Sequence, residues 1–133
     1  MPLTLHIPTG AQTQFLEITH LVEQELTRLG LRDGVLHLFT VHTTCGLTIN
    51  ENADPDVLHD LEQRLADMIP HHHPQDRHGE GNSAAHLRSS LFGPDLTIPV
   101  SQGKLVLGTW QGIYLCEFDG PRTRKLIFTA LAT

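Results

Sequence analysis

An α+β domain is the fold class this sequence predicts: a large, mostly antiparallel or mixed sheet with two to three helices packed to one side. Two observations lead there. Strands and helices do not alternate regularly, because helical segments interrupt the first two thirds whereas everything from Leu96 onward reads as consecutive short strands. The length of 133 residues suits one domain, 1–133, whose core needs no disulfide or metal staple. With five Phe, one Tyr and one Trp, that core must rest on Leu, Ile and Val. Several strands are apolar on both faces, which predicts sheet surface buried against other subunits.

Period-two alternation marks a strand at Leu3 to Ile7, and a short strand follows at Gln14 to Ile18. Thr19 then caps a helix whose Leu21, Val22, Leu26 and Leu29 share one side before Gly30 ends it. The next strand, Gly34 to His42, is apolar on both faces and is therefore central; Leu47 to Ile49 continues as another strand. Asp54 as cap, Pro55 at the first helical position and Asp56 in the first turn start a second helix. Val57, Leu58, Leu61, Leu65 and Met68 form its buried stripe, and Pro70 stops it. A polar loop from His71 to Asn82 leads to a short helix from Ser83 to about Leu91, and Gly93-Pro94 signals a turn. Strands at Leu96 to Val100, Lys104 to Thr109, Ile113 to Phe118 and Lys125 to Leu131 complete the chain.

Fifteen acidic against nine basic residues, a net charge of −6, argue against nonspecific binding to nucleic acid or anionic membrane. A phosphorylated ligand would need a local basic pocket. The segment MPLTLHIPTG has no basic flank, and no stretch approaches the roughly 20 apolar residues of a membrane span, so a cytoplasmic protein is expected. Cys45 and Cys116 lie in apolar strands and read as reduced, structural thiols.

Ten histidines raise the question of which converge. His6, His20 and His59 stand alone and suit the surface; His37, within a central strand, reads as a satisfied buried imidazole; His71 to His73 read as solvated loop. Three others differ. His42 closes the central strand and is followed by Thr43 and Thr44. His78 lies in the loop HGEGNSAAH, and His86 on the short helix after it. Gly79 and Gly81 let backbone approach a ligand, and the amides at Asn82 and Ser83 open the helix, so a phosphate cradle is one reading. A metal held by His42, His78 and His86, zinc or magnesium, is another, with no fixed spacing to favour it.

Glu51, after the strand Leu47 to Ile49, is expected at the same sheet end as His42. Glu117, among apolar neighbours, would be raised by desolvation unless paired. Either could serve as general acid or base; equally, Glu51 could cap a turn and Glu117 pair with Arg122 or Arg124. The segment GPRTRK, residues 120–125, is the only dense positive cluster, and Arg122 in it could hold phosphate.

The strings HTTCGLTINENADPDV, AAHLRSSLFGP, TIPVSQGKL and LGTWQGIYLCEFDGPR closely resemble the YjbQ family, small proteins associated with a secondary thiamine phosphate synthase activity. The likeness runs from about Leu36 to Phe128. It implies a compact α+β subunit that assembles as a homotrimer, with a histidine-rich polar pocket near the subunit boundary. It also implies that His42, Glu51, His78 and His86 line that pocket, with Trp110 and Gln111 as framework. The activity would join a pyrimidine carried as its diphosphate to a thiazole phosphate. In that scheme Arg122 and the 79–83 loop hold phosphate, His42 or Glu51 assists proton movement, and His78 with His86 binds a divalent ion or the leaving group. Two alternatives stand beside it: a metal-dependent hydrolase in which Glu51 activates a metal-bound water, and a noncatalytic binder of a phosphorylated metabolite or metal.

Overall fold

Among the described residues, eight strands and three helices follow one another in the order β1 (Leu3–Pro8), β2 (Gln14–Glu17), α1 (Thr19–Leu29), β3 (Gly34–Thr40), β4 (Cys45–Glu51), α2 (Pro55–Met68), α3 (Ser83–Phe92), β5 (Asp95–Ser101), β6 (Lys104–Leu105), β7 (Gln111–Glu117) and β8 (Thr123–Ala132). The computed structural model describes residues 2–133. The α+β class holds, but the strands divide into two antiparallel sheets. One has five strands in the order β1-β8-β3-β5-β6, and the other has three in the order β2-β7-β4.

The two sheets face each other across the main core. Leu36, Leu38, Ile98, Val100, Leu126 and Phe128 of the larger sheet pack with Cys45, Leu47, Ile113 and Leu115 of the smaller one, and Val22 and Leu26 of α1 join them. The opposite face of the smaller sheet carries Tyr114, Cys116 and Phe118, covered by Leu65 of α2 and Ala85 of α3. The two cysteines therefore belong to separate clusters, and both are free and buried. Among the described residues, no helix covers the outer face of the larger sheet: Phe39 is 37 % exposed and Leu131 59 %.

The local signals of α2 act as expected: the Asp54 side chain accepts from the Asp56 amide and Pro55 stands at the first position. At α1 the cap is Ile18, without a side-chain bond. Thr19, expected as the cap, accepts the Ile113 amide on Oγ1 and donates to Glu17, so it ties the helix to the sheet instead. Leu29 and Met68, assigned to buried stripes, are 44 % and 71 % exposed; both lie in the last turn of their helices, past the sheet they cover. The strand expected from Lys104 to Thr109 pairs only over Lys104–Leu105. Beyond it, the Gln111 carboxamide accepts the Gly108 amide and turns the chain into β7.

Candidate functional site

One end of both sheets gathers most of the singled-out residues. β3 ends at Thr40, two residues earlier than expected, so Val41, His42 and Thr43 cross from the larger sheet to Thr44 at the start of β4. The β7–β8 turn brings Asp119 and Arg122 to the same end, and the loop before α3 brings His78, Glu80 and Asn82. With His86 and Arg124, these residues line a polar cavity of about 430 Å³.

Beneath the cavity lies a fully buried ion pair. Arg124 holds both carboxylate oxygens of Glu117, donates to Thr44 Oγ1 at 2.8 Å and to the Thr44 carbonyl at 3.2 Å. Thr9 Oγ1 donates to Glu117 at 2.7 Å, and the Phe118 and Asp119 amides donate at 3.1 Å each. Burial alone would raise the Glu117 carboxyl, but the hydrogen bonds from Arg124, Thr9 and Asp119 outweigh it and hold the group below the usual carboxylate range. Of the two readings of Glu117, pairing with Arg124 is the one realised. It supports the floor of the pocket and does not line it.

His42 is fixed by a backbone contact that no sequence pattern announces. The Lys125 amide donates to His42 Nε2 at 2.8 Å. Burial lowers the imidazole below its ordinary range, and the nearby Arg124 guanidinium lowers it further against a smaller pull from Glu117. A neutral ring whose Nε2 accepts must carry its proton on Nδ1. His42 is thus a hydrogen-bond donor. It has no free lone pair for a metal or for a substrate proton.

Arg122 Nε donates to the Asp119 carbonyl at 2.8 Å and its Nη2 to Asp119 Oδ2 at 3.0 Å, while the guanidinium stays half-exposed. Asn82 Nδ2 donates to the same Oδ2 at 2.8 Å. Asp119 so holds both the arginine and the asparagine; sequence reasoning missed it, as it missed Glu80 and Arg124 as lining residues. The Asp-Gly-Pro turn signal just before Arg122 was the available clue. His78 and His86 stand edge to face, their ring centroids 5.5 Å apart.

Glu51 is not in this pocket. β4 runs from Cys45 beside the pocket to Glu51 at the far end of the sheet, six residue steps or about 20 Å of extended chain away. There Glu51 accepts the Asp54 amide at 3.3 Å, the turn-capping alternative, and borders a separate hollow with Ala53, Asp54, Pro55 and the 62 %-exposed Trp110. Trp110 and Gln111, expected as framework of the histidine pocket, belong to that other end. Gly81 and Ser83 shape the loop before α3 but do not line the cavity, whereas Thr43 and Thr44 do. His37 is half-exposed instead of buried, yet satisfied, its Nε2 2.9 Å from Asp95 Oδ2.

The donor chemistry does not suit the three-histidine metal set. Nε2 of His42 is committed to Lys125, and ligation through Nδ1 would turn a protonated Nε2 toward that amide hydrogen. Among the described residues, no three His, Cys, Asp or Glu side chains are grouped to hold an ion. What the arrangement can do is bind an anion. Arg122 from the β7–β8 turn and, from the β3–β4 connection, the His42 Nδ1–H and the Thr43 hydroxyl offer donors from two segments.

A family model described as UPF0047 protein YjbQ-like matches residues 3–133. The chain belongs to this YjbQ-like family. Among its UPF0047 relatives, YugU of Bacillus subtilis is 50 % identical over 121 residues, spanning 91 % of this chain and 92 % of YugU. A UPF0047 protein of Methanocaldococcus jannaschii is 44 % identical over 119 residues, 90 % of this chain and 86 % of that one. A YjbQ/UPF0047 crystal structure from Clostridium acetobutylicum superimposes with a TM-score of 0.92 at 45 % identity, covering 97 % of this chain and 99 % of that one. A crystal structure of a conserved hypothetical protein from Thermus thermophilus gives 0.90 at 48 % identity, with 97 % and 99 % covered. The UPF0047 relatives thus share the fold as well as the sequence.

Proposed function

We propose that the pocket at His42 and Arg122 binds a small phosphorylated metabolite and catalyses displacement of a phosphate leaving group, and that the resident activity is of the thiamine phosphate synthase type. The observation that carries this reading is the fixed tautomer of His42, which joins Arg122 as a donor aimed at negative charge. In the displacement, the thiazole nitrogen lone pair forms a C–N bond to the pyrimidine methylene carbon. The C–O bond to the diphosphate breaks, and its electron pair departs with pyrophosphate. No proton needs to be removed from the nucleophile, so a histidine without a free lone pair suits this chemistry. Its task is orientation and neutralisation of charge growing on the leaving oxygens. Hydrolysis, in contrast, requires a base for water, and Glu51, named for that role, sits at the other sheet end.

The homotrimer implied by the family resemblance is part of the proposal, its support being the uncovered apolar residues on the larger sheet. The test is product formation from the pyrimidine diphosphate and the thiazole phosphate by purified protein. Thiamine phosphate and pyrophosphate in equal amounts are expected, with a loss of tenfold or more in Arg122→Ala. Phosphate binding without any product would overturn the catalytic reading in favour of a binding protein.

A further inference from the structure

Arg122 is the charged donor of the pocket, and its backbone is gripped by a residue 113 positions earlier that does not line the cavity. β1 and β8 pair as far as Pro8 opposite Thr123, which makes Thr9 and Arg122 the next pair in register. The Thr9 amide donates to the Arg122 carbonyl at 2.8 Å, as a hydrogen-bonded antiparallel pair requires. The return bond differs. The Arg122 amide donates at 2.9 Å to the Thr9 hydroxyl, which stands in for the Thr9 carbonyl.

Thr9 is 8 % exposed, and its one hydroxyl proton has a charged acceptor, Glu117 Oε1 at 2.7 Å, nearer than the Arg122 carbonyl at 3.0 Å. One side chain thus ties the Arg122 backbone to the buried ion pair beneath the cavity. The rest of the turn seats on the same loop. Gly120 N–H donates to the Gln12 carbonyl at 3.1 Å, and a Cβ on Gly120 would run into the Ala11 carbonyl and lie 2.9 Å from Thr9 Oγ1.

We infer that Thr9 is a positioning residue of the anion site: by accepting the Arg122 amide, its hydroxyl sets the point from which the Arg122 side chain enters the cavity. Asp119 then holds the guanidinium itself. Without the hydroxyl, the Arg122 amide either loses its partner or turns to the Thr9 carbonyl, and in both cases the arginine moves. This rests on the phosphate reading above and adds to it the residue on which Arg122 depends.

Calorimetric titration of the full chain with inorganic phosphate tests it. Thr9→Val keeps the shape and removes the hydroxyl, so binding is expected to weaken about tenfold, the scale of one hydrogen bond, while Thr9→Ser stays within about twofold of the unaltered protein. The deciding variant adds Thr9→Val to Arg122→Ala: with the arginine gone, it should change the remaining affinity by less than about twofold. Val100→Ala, in the main core at the other end of β5, should lower the melting temperature and leave binding unchanged. In the unaltered protein, nuclear magnetic resonance should show the Arg122 amide protected from deuterium exchange, a protection lost in Thr9→Val. Full affinity in Thr9→Val, a loss that persists undiminished on top of Arg122→Ala, or an equal loss in Val100→Ala would overturn the inference and leave the phosphate pocket standing. An unprotected Arg122 amide in the unaltered protein would do so without any variant. Failure of the unaltered protein to bind phosphate would overturn both readings.

Discussion

A single backbone amide decides what His42 can do. Because Lys125 N–H occupies Nε2, the ring donates without being protonated, so anion binding should not collapse between pH 6 and 8 as it would for an imidazolium. The lowered folded-state value gives the sign of the linkage. The unfolded chain binds the proton more readily, so stability is full above about 6.5 and falls as pH drops below it; His42→Gln should flatten that decline in melting temperature. For metals, zinc uptake measured by elemental analysis should be the same in His42→Ala as in the unaltered protein; a fall to zero in the variant would place the ring on the ion. Glu117→Gln is expected to cost about 3 to 5 kcal/mol in chemical denaturation, since it strips the carboxylate from a buried guanidinium. At this scale the sequence is readable where chemistry and local spacing coincide: His42, Thr44, Asn82, His86 and Arg122 do meet. Glu51 escapes such reading because adjacency in sequence is not adjacency in space, and a seven-residue strand carries the chain across the sheet.

α3 positions the pocket loop, and its seat on β4 is set by a glycine. A Cβ on Gly46 would lie 2.9 Å from Phe92 Cβ and 3.0 Å from the Gly93 carbonyl, both at the helix end. The approach is sealed by Ser89 Oγ donating to the Cys45 carbonyl at 2.9 Å and by Leu47 N–H donating to the Gly93 carbonyl at 3.1 Å. Gly46→Ala should therefore lower stability by about 1 to 3 kcal/mol and, by shifting α3, weaken anion binding as well, both measurable in one ligand-titrated melting series. Helix limits are legible because caps and prolines act within a turn. The division into two sheets is not, since pairing such as Cys45 with Glu117 or Leu3 with Phe128 depends on residues far apart in the chain.

The whole molecule carries −6, yet concentrates Arg122, Arg124 and Lys125 within one turn and strand start. Attraction for a phosphate is therefore local, and added salt should weaken binding only modestly compared with a broadly basic protein. The proposed trimer would be sealed on the open face of the larger sheet, so Phe39→Asp is expected to lower the mass found by sedimentation to that of a monomer; an unchanged mass would separate that face from any assembly. No helix among the described residues is long and apolar enough to cross a membrane. The position of β8 has a consequence for how the molecule comes into being. It lies between β1 and β3, so the strand from nearest the start of the chain finds its neighbour only after residue 128 has been made. A nascent chain arrested at residue 122 would hold β1 without a partner and β3 paired on one edge only, and should be digested rapidly by protease. Closure of the larger sheet thus waits on a pairing between distant parts of the chain, and the strand that completes it also brings Arg124 to the glutamate it neutralises.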